Sequence, residues 1–191
     1  QSETECIASV TSDVMGACVF EKDFQRTCKM ITQKECKEIE KSGNSSVEFH
    51  EKYLCSADEL ATNCGPSTKT TCVEGKDEVY FVDLCGNIAN IYNAAKQKDK
   101  PYWTKMIGKT ESCDPTQSNA NDAGCGNCDY YSGSTCKTYD KSKDAKPTYG
   151  NNICRDLKCT YDGKTYAHGA TWCVSNSENT NSPGSEWFRM V

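Results

Sequence analysis

The stretch CVEGKDEVYFVDLCGN, residues 72–87, contains the pattern on which the chain is built. Its centre, Glu78-Val79-Tyr80-Phe81-Val82, is rich in the β-branched and aromatic residues that favour strands. Cys72 and Cys85 stand on either side, next to polar turn residues. Other short strand-like runs lie among cysteines along the rest of the chain. The pattern predicts small strands that disulfide bonds hold in place.

The composition leaves little material for an ordinary core. Leu, Ile, Val and Phe account for 25 of the 191 residues, which is below the ~20% at which a chain usually buries enough apolar surface to fold. The 15 cysteines offset this shortage, because each disulfide stabilises a fold by roughly 2–4 kcal/mol. We therefore predict a small disulfide-rich fold class, β-dominated with short helices, in which irregular α+β mini-modules follow one another in tandem.

All fifteen cysteines are disulfide candidates, and their spacing leaves the pairing open. They are Cys6, Cys18, Cys28, Cys36, Cys55, Cys64, Cys72, Cys85, Cys113, Cys125, Cys128, Cys136, Cys154, Cys159 and Cys173. An odd number leaves one without a partner. We expect its partner just beyond Val191, since the strand-like run at 186–191 has no turn residue after it, or else in another chain.

Disulfides persist outside the cytosol, so the chain is predicted to be exported to the extracellular space or the cell surface. Gln1 is expected to follow a removed leader or to mark a boundary in a longer chain. The net charge of −5, with both signs interspersed, disfavours nucleic acid as a partner. No stretch approaches the ~20 apolar residues of a membrane span, so no membrane insertion of this segment is expected.

Four segments follow from the cysteine clusters and the turn-rich stretches between them. Residues 1–56 form a cysteine-rich module with a short helix at 32–40, which begins at the capping-box pattern Thr32-Gln33-Lys34-Glu35. Residues 57–112 form a β module, with a short helix expected after Asn87. Residues 113–150 form a disulfide-bridged loop with an exposed linker at 137–150. Residues 151–191 form a β-hairpin module around Asp162-Gly163, with a truncated C-terminus.

Several motifs also resemble known sequences. Gly16-Ala17-Cys18, Cys28, Thr32, Glu35-Cys36, Gly43, Phe49 and Cys55 resemble a cysteine-rich repeat of prokaryotic surface proteins. The motifs Cys72 to Phe81, Cys85-Gly86-Asn87, Gly124 to Tyr130 and His168 to Cys173, followed by Pro183-Gly184-Ser185, resemble a family of large cysteine-rich surface proteins of small symbiotic archaea of the nanoarchaeal type (DPANN). The resemblance implies a cell-surface location and a role in a filament, coat or attachment structure. It implies no catalytic residue.

Residues that carry chemistry are few. Only His50 and His168 are available for histidine-based catalysis. Cys125 and Cys128 have the spacing of a zinc or redox pair, but structural disulfides are the favoured interpretation. No cofactor is predicted, although oxygen ligands in one loop leave calcium possible; these are Asn119, Asn121, Asp122 and Asp129. Asn44 begins the one Asn-X-Ser/Thr triplet and is the possible glycosylation site.

The favoured function is that of a non-enzymatic extracellular structural or adhesion protein, a subunit or module of a surface filament or coat. Its expected partners are other copies, another surface component or glycans, which the ten tyrosines and three tryptophans suit. One alternative is a protease inhibitor that presents the loop 113–128. A second is an extracellular polysaccharide hydrolase that uses paired carboxylates, such as Glu48 with Glu51 or Asp58 with Glu59.

Overall fold

The computed structural model describes residues 13–42, 46–175 and 187–191. Within these ranges the chain forms one α-helix, twelve short strands in five small sheets, four short 3-10 helices and six disulfides. The predicted disulfide-rich, β-dominated fold class is confirmed. In the part of the chain that the structure describes, no helix is long and apolar enough to cross a bilayer.

The first sheet is built on a long hairpin. Strands β1 (Met15–Lys22) and β2 (Gln25–Thr32) pair along their full length, and β3 (Glu48–Glu51) pairs with the other edge of β1. Gly16 is required at that edge, because a Cβ there would lie 2.3 Å from the His50 carbonyl oxygen. Two disulfides hold the hairpin from either side, Cys18–Cys36 and Cys28–Cys55. This hairpin is therefore a rigid element.

Helix α1 (Gln33–Lys41) follows β2 directly. Thr32 Oγ1 accepts a hydrogen bond from the Glu35 amide (3.2 Å), and the Glu35 carboxylate accepts one from the Thr32 amide (2.8 Å). These two bonds satisfy free amides at the helix start. Cys36 on the buried side of the helix forms the disulfide with Cys18. The helix predicted at 32–40 is confirmed.

The second sheet is formed by β4 (Lys69–Cys72), β5 (Val79–Val82) and β6 (Ile88–Ile91), in that order. The helix predicted after Asn87 is wrong, because this segment is β6. Asn87 does not cap a helix, since its side-chain amide donates to the Asp83 carboxylate (2.9 Å) and to the Cys28 carbonyl (3.2 Å). Pairing with β5 therefore overrides the helical spacing of the apolar residues.

The remaining strands form three two-stranded sheets. They are β7 (Ser134–Thr138) with β8 (Asn152–Asp156), β9 (Cys159–Tyr161) with β10 (Lys164–Tyr166), and β11 (Trp172–Ser175) with β12 (Trp187–Met190). The turn of the β9–β10 hairpin is Asp162-Gly163, as predicted, and both residues have positive φ. The strand-like run near the end of the sequence is β12.

The segment 137–150 is not simply an exposed linker. It begins inside β7, and the Asp144 side chain is only 1% exposed. Arg155 Nη2 lies 2.7 Å from the Asp144 carboxylate, and the Asp140 amide donates to it over 2.7 Å. The Arg155 guanidinium holds the pKa of Asp144 below its ordinary value. This ion pair fixes the segment against β8.

The main core is a single aromatic cluster with disulfides at its side. The Phe81 ring lies 5.2 Å from Tyr92 and 5.0 Å from Trp103, measured between ring centroids. Leu54 and Val79 pack with them, as do the half-cystines Cys128, Cys136 and Cys154. These residues come from all four predicted segments, and two disulfides cross segment boundaries, Cys72–Cys136 and Cys128–Cys154. The division into four segments stays a prediction.

Candidate binding cleft

A cleft of about 620 Å³ lies between the open end of the β1–β2 hairpin and the second sheet. Its apolar wall is formed mainly by methionine, leucine and isoleucine side chains, with Val73 and Ala89 beside them: Met15, Met30, Leu54, Ile88, Ile91, Met106 and Ile107. Three of these residues are partly exposed to solvent, Met15 by 40%, Ile88 by 42% and Met106 by 42%. The volume lies within the ~300–1,000 Å³ range that is usual for ligand clefts.

The distance between the walls is set by a short turn, residues 83–87. The buried Asp83 carboxylate accepts hydrogen bonds from the Cys85 amide (2.9 Å) and the Asn87 amide (2.8 Å). Burial raises the pKa of Asp83. Asn87 Oδ1 in turn accepts from the Met30 amide on β2 (3.0 Å). The turn therefore fastens β2 to the second sheet and fixes the cleft between them.

One end of the cleft is polar. Lys109 Nζ lies 2.9 Å from Glu78 Oε1 and 3.6 Å from Asp129 Oδ2, and it donates to the Cys128 carbonyl over 3.1 Å. Tyr80 donates its hydroxyl to Glu78 Oε2 over 3.1 Å. The Glu78 side chain is 10% exposed, whereas Lys109 is 38% exposed. A ligand in the cleft therefore meets apolar side chains along the wall and an ion pair at one end.

The two charges of this pair stabilise each other. Burial acts to raise the pKa of Glu78, but hydrogen bonding to Lys109 and its positive charge outweigh burial and lower it. Burial acts to lower the pKa of Lys109, and the Glu78 carboxylate outweighs this and raises it. Burial raises the pKa of Tyr80, with a further contribution from the Glu78 charge. Glu78 and Lys109 are therefore charged and Tyr80 neutral near pH 7.

We expect Lys109→Met to lower the free energy of unfolding by about 2 kcal/mol at pH 7, below the ~3–5 kcal/mol of a fully buried broken pair because Lys109 is partly exposed. Without Lys109, burial raises the pKa of Glu78 above its unfolded value. The loss should therefore shrink only as the pH falls through the pKa of Glu78 in the wild-type protein, which Lys109 holds below its ordinary value, because the carboxyl is then protonated with or without Lys109. Urea unfolding at pH 7 and at about pH 2.5 measures it.

The matched control is Lys76→Met. Lys76 also lines the cleft, but it has no ion-pair partner among the residues that the structure describes. We expect a change within about 0.5 kcal/mol at both pH values. Equal losses for the two variants, or a loss at Lys109 that does not depend on pH, would contradict the assigned ion pair.

Twelve of the predicted cysteines form six disulfides. They are Cys18–Cys36, Cys28–Cys55, Cys64–Cys85, Cys72–Cys136, Cys113–Cys125 and Cys128–Cys154. The Cys125-Gly126-Asn127-Cys128 motif therefore belongs to two separate disulfides and does not form one zinc or redox pair. Gly126 is needed there, because a Cβ would lie 2.7 Å from Val79 and 2.8 Å from Tyr92.

Two cysteines differ from the prediction. Cys159 and Cys173 are exposed free thiols and not members of disulfides. Within their own strand pairs neither faces another cysteine: Cys159 on β9 lies opposite Tyr166, and Cys173 on β11 lies opposite Arg189. Cys6 and the possible glycosylation site Asn44 lie outside the described residues.

Three of the four residues of the possible calcium loop hydrogen-bond to nearby groups through their side chains. Asp122 Oδ1 accepts from the amides of Gly124 (2.7 Å) and Cys125 (3.1 Å), and Asn119 Nδ2 donates to the Asn127 carbonyl (2.8 Å). The Asn121 backbone amide donates to the Cys154 carbonyl (2.8 Å), whereas its buried side-chain oxygen Oδ1 has no hydrogen-bond partner among the described residues. Asp129 Oδ1 accepts a hydrogen bond from the Ser132 amide (2.9 Å), and Asp129 Oδ2 lies 3.6 Å from Lys109 Nζ. In residues 13–42, 46–175 and 187–191, no acidic, histidine and cysteine side chains gather as a metal-binding group.

The other candidate residues lie apart from one another. Glu48 is 2.8 Å from Arg26 Nη2 and 3.3 Å from His50 Nε2, so this carboxylate is held by two basic groups. Asp58 and Glu59 line a shallow hollow of about 460 Å³, where Lys100 Nζ lies 2.7 Å from Asp58. His168 packs against Tyr130, with ring centroids 4.5 Å apart. The structure does not bring these residues into the cleft.

The tryptophans have different surroundings. Trp103 is buried in the core, and its indole donates to the Gln97 carbonyl (2.9 Å). Trp172 stacks on Tyr166, with ring centroids 3.7 Å apart. Of Trp187 the structure describes only the backbone, on β12. Trp103 therefore serves the core, and it is not accessible to a glycan or another chain.

Sequence reasoning missed the cleft. Its walls come from β1, β2, β5, β6 and the segment 106–109, which are far apart in the sequence. The available signal was methionine: three of the four methionines in the chain line this cleft, and methionine is typical of adaptable binding surfaces.

Comparisons of the chain with protein-family models, with curated proteins and with solved structures find no match. The resemblance to archaeal cysteine-rich surface proteins stays a prediction.

Proposed function

We propose that this protein is an extracellular structural module of a cell-surface assembly, and that it binds another surface component through the methionine-lined cleft. The observation that carries the proposal is the cleft itself, whose edge exposes Met15, Ile88 and Met106 together. Contiguous exposed apolar side chains mark interaction sites on proteins. The ion pair of Glu78 and Lys109 at one end supplies orientation.

The disulfides support the extracellular part of the proposal. Six bonds hold small sheets with few aliphatic residues, and such bonds persist in oxidising surroundings. Disulfide cross-links keep the binding surface of a protein preorganised, so less conformational entropy is lost when a partner binds. That property suits a permanent surface component.

Thiol titration of the native, unreduced protein tests the oxidised state. We expect two or three reactive thiols among the fifteen cysteines, namely Cys159 and Cys173, with Cys6 as the third if it is free. Ten or more reactive thiols would contradict both the disulfide scaffold and the extracellular proposal.

The binding role is tested by adding purified protein to cells that produce it and measuring the bound fraction. Met106→Glu places a charge at the edge of the cleft and is expected to reduce binding at least tenfold. Tyr131→Glu is the matched control, because Tyr131 is also an exposed large hydrophobic residue but does not line the cleft. Wild-type protein that binds neither cells nor surface extracts nor glycans, and stays monomeric, would overturn the proposal.

A further inference from the structure

Phe24 stands out on the surface. It lies in the two-residue turn between β1 and β2, and its side chain is fully exposed to solvent. Its backbone φ is +61°, and that of Asp23 is +51°. Two positive φ values define the tight hairpin turn that favours Asn-Gly or Asp-Gly. A bulky residue at such a position is a true outlier, because its Cβ crowds the backbone.

The chain itself contains the ordinary version of this turn. Asp162-Gly163 joins β9 to β10 with φ values of +48° and +71°. Phe24 therefore occupies the position at which the second hairpin has glycine. Backbone strain of this kind persists where a side chain is needed for function. An exposed phenyl group on a rigid tip has the character of an interface anchor.

The Phe24 ring cannot reach the cleft of its own molecule. Met15 lies at the open end of the same hairpin and lines the cleft. Of the cleft residues on this hairpin, Met30 of β2 is nearer the tip and stands six residues from Phe24, which places the tip about 20 Å from the cleft at ~3.4 Å per residue. The Cys18–Cys36 and Cys28–Cys55 disulfides hold this hairpin to the molecule. The exposed Phe24 side chain, called the knob below, and the apolar cleft thus lie at opposite ends of the rigid β1–β2 hairpin.

We infer that Phe24 of one molecule inserts into the methionine-lined cleft of a second copy. This inference rests on the proposed function and names the partner of the cleft. Insertion buries the exposed phenyl ring and covers Met15, Ile88 and Met106 in the same contact, which removes exposed apolar surface from both molecules. Each contact joins the tip of one molecule to the cleft of another, so the copies associate through two different surfaces.

Charges near the two surfaces are complementary. Asp23 precedes Phe24 in the turn, and Lys76 lines the cleft; neither has an ion-pair partner within the described ranges. An inserted tip carries the Asp23 carboxylate toward the cleft edge, where the Lys76 ammonium is available. Such charge pairs orient partners and accelerate their encounter.

The test uses two variants of the full chain, each of which removes one surface. Phe24→Gly removes the knob and leaves the cleft intact, and glycine suits the positive φ, so the variant should melt no lower than wild type. Met106→Glu charges the cleft edge and leaves the knob intact. Each is expected to weaken self-association at least about thirtyfold, as loss of a hot-spot contact does, in sedimentation velocity.

Mixing the two variants provides the decisive measurement. Phe24→Gly keeps an intact cleft and Met106→Glu keeps an intact tip, so an equimolar mixture should form a one-to-one complex although neither variant associates alone. Phe24→Trp serves as the conservative variant, and it should retain association. Wild-type protein that stays monomeric at all concentrations, association that survives Phe24→Gly, or a mixture that forms no complex would overturn the inference.

The outcomes also separate this inference from the proposed function. If Phe24→Gly binds cells as well as wild type while Met106→Glu does not, the cleft binds a surface component other than a second copy. In that case the inference fails and the proposed function stands. If neither binding to cells nor self-association responds to Met106→Glu, both fail.

Discussion

Replacing Cys128 and Cys154 together with alanine is expected to lower the free energy of unfolding by about 5 kcal/mol. The bond closes a segment with a sequence separation of 26 residues, which corresponds to about 3.5 kcal/mol of lost entropy in the unfolded chain. Both half-cystines are fully buried in the aromatic core. Removing the sulfurs from a packed core adds about 1–2 kcal/mol.

The Cys113–Cys125 bond provides the control. Its sequence separation is 12, and Cys113 is only partly buried, so the double alanine variant should lose about 3 kcal/mol. Guanidinium unfolding without reductant, extrapolated to water, measures both losses. An equal or larger loss for the Cys113–Cys125 variant would contradict the larger contribution assigned to the Cys128–Cys154 bond.

Phe81→Ala is expected to cost about 4 kcal/mol, in the range of large-to-small aromatic substitutions in cores. Phe81 is fully buried, and its ring packs against Tyr92 and Trp103. The rings of these neighbours lie on a scaffold that disulfides hold in place, so the cavity cannot collapse fully. The loss per atom removed should therefore lie toward the upper end of the usual range.

Tyr131→Ala is the matched control for Phe81→Ala, because Tyr131 is an aromatic residue with a side chain that is 94% exposed. It should change the free energy of unfolding by no more than about 0.5 kcal/mol. A loss below about 2 kcal/mol at Phe81 would contradict a core organised by this aromatic ring. Near-ultraviolet circular dichroism should change for Phe81→Ala, since Tyr92 and Trp103 lose a packing partner.

Local patterns predicted local structure well. The capping box at Thr32 and Glu35 acts within four residues, so it fixes the start of α1 whatever surrounds it. Asp162-Gly163 accepts positive φ on both residues, and it forms the predicted turn. The strand predicted at 78–82 is β5, in which Val79 and Phe81 are buried, and Cys72 and Cys85 flank it.

Local patterns were misleading where long-range contacts compete. Ile88, Ile91 and Tyr92 have helical spacing, but the Asn87 side chain binds Asp83 and Cys28, and the segment pairs with β5. Likewise Phe24 stands in a turn whose geometry favours glycine, and nothing local explains it. Tertiary and intermolecular contacts override local preference when their free energy exceeds the ~1 kcal/mol of a typical propensity.

The sequence by itself determined that this protein is disulfide-rich and β-dominated, because composition and short-range spacing fix how much core is available and where turns occur. Only the tertiary structure decided which cysteines pair, that Cys159 and Cys173 are free, and that Met15, Met30 and Met106 meet in one cleft. These facts depend on distances between residues far apart in the chain. Many connectivities share the same cysteine spacing, and the tertiary packing of three hydrophobic clusters in the described residues brings particular cysteines together.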